Sequence, residues 1–236
     1  YNLSPDNGWQ PDFDGLEAQH RDGVINLEEV KLMWCNYPNM PTGANGSVEL
    51  FEKLVAFGKK YNIIICHDNP YSFILNDNPM SILSQPGAKD CCLELNSLSQ
   101  AHNMAGWRIG MVAADAEIIS QILKVKSQMD SGMFKPLQLA AVKALGQGPE
   151  WFTELNDEYR RRRVLAGEIF DMLGVTYDHS SAGMFLWGRV PQNIHDDNGI
   201  SAGQVLSDRI LYEAGVFITP GFIFGKNGEG YVRISL

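Results

Sequence analysis

Asp68 closes an apolar run, residues 63–66, with only His67 between, and so stands at the tip of a strand. Pro70 stiffens the turn and Tyr71 follows three positions on, so a carboxylate and a phenol are expected to face one crevice. A partly buried carboxylate needs a cationic or N–H partner, and a protonated heterocyclic nitrogen would serve. Ser97, Ser99 and Arg108 gather in a second loop, "SLSQAHNMAGWRIG". Two hydroxyls and a guanidinium suit a phosphate, because arginine binds phosphate through two parallel hydrogen bonds. The same residues would also make a serine-rich turn with Arg108 in a surface ion pair. Gln100, at the loop's centre, is neither a base nor a nucleophile, and His102 is expected at the surface or behind the site. Asn36, Asn39, Thr42 and Gly43 form a polar turn that would also serve as a plain strand-to-helix connection. Arg233, inside "YVRISL", is either paired with an acid or open to an acidic ligand.

The elements that must carry these residues follow from periodicity. Residues 1–24 read as an irregular connection. Residues 30–35 are a strand and 36–46 a loop dense in turn formers. Ser47 caps a helix reaching about Lys60, with Val48, Phe51, Leu54 and Val55 on one face. A buried strand ends at His67 or Asp68, another finishes over 93–96, and a third covers 107–114. Helices are predicted at about 116–129, 135–147 and 150–173, a strand at 183–190, a helix at 201–213, and short strands in "VFITP" and "YVRISL". The first part alternates strand and helix with continuous apolar strands, which predicts an α/β unit with a mostly parallel sheet flanked by helices on both faces. The later part predicts a smaller α+β unit. The expected division is 1–150 and 151–236, with the boundary inside the helical stretch at about 140–165. Ligands of open α/β sheets bind at the carboxyl ends of the strands. The loops at 36–43, 67–71 and 96–108 all lie at such ends.

Composition narrows the function classes. A net charge of −9 argues against nucleic-acid and anionic-membrane partners, which need clustered basic residues. The one basic run, residues 160–163, lies in an acid-rich helical pattern and reads as a solvated face. Cys35, Cys66, Cys91 and Cys92 lack C-x-x-C spacing and read as buried reduced thiols of a cytoplasmic protein, with no metal site. No apolar run approaches the roughly 18 residues of a membrane span. Neither a Gly-x-Gly-x-x-Gly nor a Gly-Lys-Ser/Thr loop is present, which disfavours a nucleotide-binding module. The chain opens on Tyr1 and stops on a strand, so a fragment lacking the N-terminal part is expected.

Four of these segments together resemble one family. "NYPNMPTG" is similar to an Asn-Pro-x-Asn-Pro-Thr-Gly loop, and "HDNPYS" to an Asp-x-x-Tyr element. "SLSQAHNMAGWRIG" is similar to a Ser-x-Ser-Lys-…-Gly-x-Arg-x-Gly segment, and "YVRISL" to a strand whose arginine grips a substrate carboxylate. In this order they resemble the class I/II aminotransferases of the fold-type-I pyridoxal phosphate (PLP) enzymes, over nearly the whole chain. The nearest branch is the bacterial aspartate- or LL-diaminopimelate-aminotransferase-like one. The resemblance implies that Asp68 pairs with the pyridine nitrogen and Tyr71 with the ring oxygen. It also implies that Ser97, Ser99 and Arg108 hold the phosphate and that Arg233 binds the substrate carboxylate. The substrates implied are an amino acid and a 2-oxo acid, and the assembly implied is a homodimer with its active site at the interface. Two positions depart from the pattern. Met40 stands where the family has the asparagine that touches the ring oxygen, and Asn39 or Asn36 is the available substitute. Gln100 stands at the Schiff-base lysine, so turnover by this chain is expected to be impaired. A non-catalytic PLP- or amino-acid-binding relative, and a decarboxylase or C–S lyase on the same fold, are the alternatives. The glycine-rich helix start and the ring-stacking aromatic that the family normally supplies before this point are not in the chain.

Overall fold

Asp12 accepts a hydrogen bond from the Gly15 backbone N–H (2.9 Å), and this cap starts a helix where an irregular connection was expected. The computed structural model describes residues 1–195 and 199–236, and its first helix is α1 (Phe13–Arg21). Only Phe13 and Leu16 of α1 pack on the core, so its apolar stripe is too thin to stand out in a polar, glycine-containing stretch.

A strand–helix–strand unit follows: β1 (Leu32–Asn36), α2 (Val48–Tyr61) and β2 (Ile64–Asp68). Ser47 caps α2 by accepting from the Leu50 N–H (3.1 Å), and Asn62 ends it in the left-handed region at φ 56°. The face of α2 carrying Leu50, Phe51, Leu54 and Val55 is buried against β1 and β2 together with Met33, Cys35, Ile63 and Ile65. Next come β3 (Cys92–Ser97), the short turn α3 (Leu98–Ala101) and β4 (Gly110–Ala114). The sheet order is β1-β2-β3-β4; the first three strands are parallel and β4 is antiparallel to β3. β4 begins three residues later than expected because residues 105–107 form a tight turn and Arg108 sits at φ 54°.

Helices were expected on both faces of this sheet. Among the described residues the face opposite α2 is only partly covered: Leu32 and Trp34 of β1 and Val112 of β4 are exposed on it, while Cys66 and Leu93 are buried. Helices α4 (Ala116–Met129) and α5 (Lys135–Leu145) bury no residue of their own.

The long helix α6 (Pro149–Met172) leads to an antiparallel sheet. It is built from β5 (Thr176–Tyr177), β6 (Phe185–Arg189), β7 (Thr219–Pro220) and β8 (Tyr231–Ser235), in the order β5-β6-β8-β7. Helix α7 (Ala202–Ala214) precedes β7 and packs on this sheet. A second core of Phe170, Val175, Leu186, Leu206 and Val232 lies beneath it. The two sheets meet backbone to backbone: Ala182 N–H donates to Gly43 O (2.8 Å) and Gly183 N–H to Ile74 O (2.7 Å). Gly43 has φ 73°, and a Cβ there would lie 2.6 Å from Ser181 Cβ, so this approach requires glycine. Asn156 of α6 joins the seam, accepting from Leu75 N–H (2.7 Å) and donating to Phe73 O (3.0 Å).

The basic run divides. Arg160, Arg161 and Arg162 are exposed and pair with Asp157 and Glu158, as a solvated face should. Arg163 instead turns inward and donates to the carbonyls of His179 and Ser181. Charge patterning cannot reveal this, because its partners are backbone atoms. All four cysteines are free and buried. No described helix is long and apolar enough to cross a membrane.

Candidate active site

The carboxyl ends of β1, β2 and β3 lie side by side, which brings three of the predicted loops together. Asn36 pairs with Asp68 across β1 and β2, and Asp68 pairs with Leu95 across β2 and β3. The Asn36 side chain ties the edge, donating to Asp68 O (2.6 Å) and accepting from Met40 N–H (2.7 Å). Asn39 is buried; it donates to Asn36 O (3.2 Å) and accepts from the Thr42 hydroxyl (2.7 Å). Both amides are therefore engaged in shaping the loop.

Asp68 is half-buried, and among the described residues no donor reaches its carboxylate. Burial pushes its pKa up, and the neighbouring His67 opposes that only in part. Tyr71 lies near it: burial and the Asp68 charge push the phenol up, while Arg233 pulls it back. Tyr71 also packs edge-on against Phe185 of β6, ring centres 5.7 Å apart.

Arg233 reaches this edge from the other sheet. Its guanidinium lies between the rings of Phe185 (4.6 Å) and Phe224 (4.8 Å) and donates to the Met40 thioether (3.4 Å). Its Nε is buried without a partner, and no carboxylate pairs with it among the described residues. Burial lowers its pKa, with Tyr71 opposing. Of the two sequence readings, the structure thus has no acid on Arg233. Met40, Phe185 and Phe224 complete its surroundings. They are ordinary apolar residues in sequence and gave no signal beyond Met40's departure from the loop pattern. A cavity of about 240 Å³ opens beside Met40, Phe224 and Asn39.

The third loop follows β3. Ser97 pairs with Gly110 across β3 and β4, which folds Arg108 back towards Ser97 and Ser99. The Ser97 oxygen accepts from Ser99 N–H (3.0 Å), and Arg108 is exposed, donating only to Ala105 O (3.0 Å). The surface ion pair considered for Arg108 is not formed among the described residues. Gln100 is half-buried, and its Oε1 has no donor. His102 is packed, stacked on Trp151 of α6 at an interplanar angle of 10°, and burial lowers its pKa. Trp151 in turn donates its indole N–H to Ala101 O (2.9 Å).

One polar cluster at this edge was missed in sequence. His67 is fully buried, with Nε2 2.9 Å from Tyr37 O and Nδ1 3.3 Å from Glu94 Oε2. Both ring nitrogens face hydrogen-bond acceptors. Glu94 also accepts from Ser81 Oγ (2.7 Å), Ile82 N–H (3.1 Å), Asn96 (2.9 Å) and Asn69 (3.4 Å). Burial would raise its pKa, but the hydrogen bonds from His67, Ser81 and Asn96 win and hold it at about 2. A lone acid in "CCLELN" beside a lone histidine in "IIICHD" was the available signal.

The donor set fits PLP on the structure's own terms. A half-buried carboxylate without a donor suits a protonated ring nitrogen. An uncompensated arginine suits a carboxylate, and exposed Arg108 with two serines suits a phosphate.

Comparison with known proteins identifies the family. The family model for class I and II aminotransferases matches residues 1–236. The LL-diaminopimelate aminotransferase of Oleidesulfovibrio alaskensis is 38% identical over 237 residues, 99% of this chain and 58% of the relative. That of Aquifex aeolicus is 39% identical over 236 residues, with the same coverage. Among solved structures, apo BacF from Bacillus subtilis is 35% identical with a TM-score of 0.87, over 99% of this chain and 57% of that one. The probable N-succinyldiaminopimelate aminotransferase of Thermus thermophilus is 31% identical with a TM-score of 0.81, over 97% of this chain and 58% of that one. The chain thus spans somewhat under three fifths of the length of the curated relatives it matches. Members of the matched family depend on PLP, and this chain belongs to the class I and II aminotransferases.

Proposed function

We propose that the protein binds PLP and an amino acid as an aminotransferase does, exchanging an amino group between an amino acid and a 2-oxo acid, with the reaction impaired in this chain by Gln100. The observation that carries this reading is the unmatched pair at one sheet edge: a half-buried Asp68 without a donor and a half-buried Arg233 without an acid, both close enough to Tyr71 for its phenol to feel their charges. Asp68 holds the cofactor's ring nitrogen protonated, and Tyr71 donates to its ring oxygen. Asn36 and Asn39, the residues expected near that oxygen, hold the loop and the β2 tip in place. Ser97, Ser99 and Arg108 bind the phosphate, and Arg233 grips the substrate carboxylate through two hydrogen bonds. When bound, the cofactor supplies an electron sink for negative charge at the substrate's α carbon. Gln100 offers neither a covalent link nor a base. Losing general-base help alone costs roughly 10²–10⁴-fold in rate.

The relatives named for LL-diaminopimelate make a diamino dicarboxylic acid the first substrate to try. Residues 1–150 would belong to the cofactor-binding domain and 151–236 to a smaller domain carrying Arg233. The working unit would be a homodimer in the cytoplasm. Gln100 also favours a second reading, a non-catalytic relative that binds cofactor or amino acid without turnover.

Gln100→Lys in the full-length chain separates the two. After addition of PLP and reduction with borohydride, mass spectrometry should find a pyridoxyl group on residue 100 of the variant, and transamination should appear with it. Adduct without transamination favours the binding relative. Failure of the variant to bind PLP at all overturns the aminotransferase reading and leaves only an amino-acid-binding relative.

A further inference from the structure

Gln100 lies on α3, the turn that directly follows β3, whose Leu95 pairs with Asp68 of β2. Leu98 and Ala101 face inward from this turn, and Ala101 O is held by the Trp151 indole. The amide oxygen of Gln100 is buried and has no donor among the described residues. An acceptor left unmatched in a protein interior carries an energetic penalty that a ligand donor can remove.

We infer that the site holds the aminated form of the cofactor, without a covalent link and in preference to the aldehyde form, with Gln100 Oε1 accepting a hydrogen bond from its ammonium group. The inference rests on the cofactor site proposed above. A lysine at position 100 would contribute to the two forms unequally. It could bond covalently to the aldehyde, whereas it would place a second positive charge beside the aminated form. Glutamine reverses both contributions: the covalent link is lost to the aldehyde alone, and the like charge gives way to an acceptor. An ammonium group carries three donors and no acceptor, which is what a buried carbonyl oxygen lacks; an aldehyde carries no donor at all. Asp68, Ser97, Ser99 and Arg108 meet the ring nitrogen and phosphate that both forms share, so they do not discriminate. The discrimination falls on position 100.

The test is a pair of calorimetric titrations of the unaltered full-length protein, one with pyridoxamine 5′-phosphate and one with pyridoxal 5′-phosphate. Borohydride reduction and peptide mapping of the aldehyde sample identify adducts on surface lysines. The aminated form is expected to bind about tenfold tighter or more, the factor that one hydrogen bond to a charged group supplies. Gln100→Lys should invert the order, and Gln100→Leu, which keeps the bulk but not the acceptor, should weaken the aminated form by about tenfold. Because the ratio is measured on the unaltered protein, no variant's folding decides it. Equal affinities, or tighter binding of the aldehyde, would overturn the preference and leave the cofactor site standing. Undiminished binding of the aminated form by Gln100→Leu would overturn the role of Oε1. Binding of neither form, by the unaltered protein or by Gln100→Lys, would overturn the cofactor site itself.

Discussion

Glu94 and Arg233 are both charges withdrawn from water, and the protein surrounds them in opposite ways. Glu94, on β3, is met by donors from His67, Asn69, Ser81, Ile82 and Asn96. Arg233 has two aromatic faces and a thioether, and its Nε has no partner. A buried charge with a full set of hydrogen bonds belongs to the folding equilibrium, because removing it strands every donor around it. A charge left short of partners adds little to folding and keeps its binding capacity for a ligand. The sheet edge thus places a structural ion network directly behind a binding surface, and the number of unmet hydrogen bonds tells the two apart.

Breaking the saturated side should have the largest effect. Glu94→Ala is expected to lower stability by about 3 kcal/mol or more in urea unfolding, because it strands several buried donors at about 1–3 kcal/mol each. A loss below about 1 kcal/mol would mean that the network is ornamental to folding. The same carboxyl should set the acid limit. Its folded pKa lies at about 2. The contribution is therefore complete above the unfolded value of about 4.3 and fades as pH falls towards the folded one. Circular dichroism during acid titration should show Glu94→Gln losing less stability across that window than the unaltered protein does. Asp68 has the opposite sign: burial raises its pKa, so its contribution is present at low pH and is lost as pH rises through the folded value.

On the unsaturated side, Arg233→Met should leave stability within about 1 kcal/mol, since no partner is stranded. Affinity for a carboxylate ligand such as 2-oxoglutarate should fall by about 10–100-fold in a competition titration. Marked destabilisation with unchanged affinity would reverse the assignment of the two charges. The smallest effect belongs to the exposed arginines. Arg160→Ala should shift unfolding by less than about 0.5 kcal/mol. Arg163→Ala should cost more, because the backbone carbonyls of His179 and Ser181 lose their donor.

Much of the site was legible because its residues cluster at strand tips. Asp68, Tyr71, Ser97 and Ser99 each stand at or just after the end of a strand signal, and parallel pairing brings such tips together whatever lies between them in the chain. Contacts that depend on the second sheet were not legible. Met40 and Arg233 are 193 residues apart, and nothing local announces a thioether against a guanidinium. The turn inward of Arg163 and the packing of His102 on α6 are equally non-local. The strand pattern gave parallel pairing for β1–β3. It gave no warning that Leu32 and Trp34 would be exposed, because a continuous apolar strand reads the same whether one face is covered or two.

Helix α6 has a mechanical consequence. Its 24 residues make a rod about 36 Å long, pinned near one end where Asn156 holds the turn after Tyr71. The short arm reaches Trp151, which grips the carbonyl next to Gln100, and the long arm reaches Phe170 in the second core. Rocking about that pivot gears motion down about threefold, so a 3 Å swing at the Phe170 end becomes about 1 Å at the Gln100 turn.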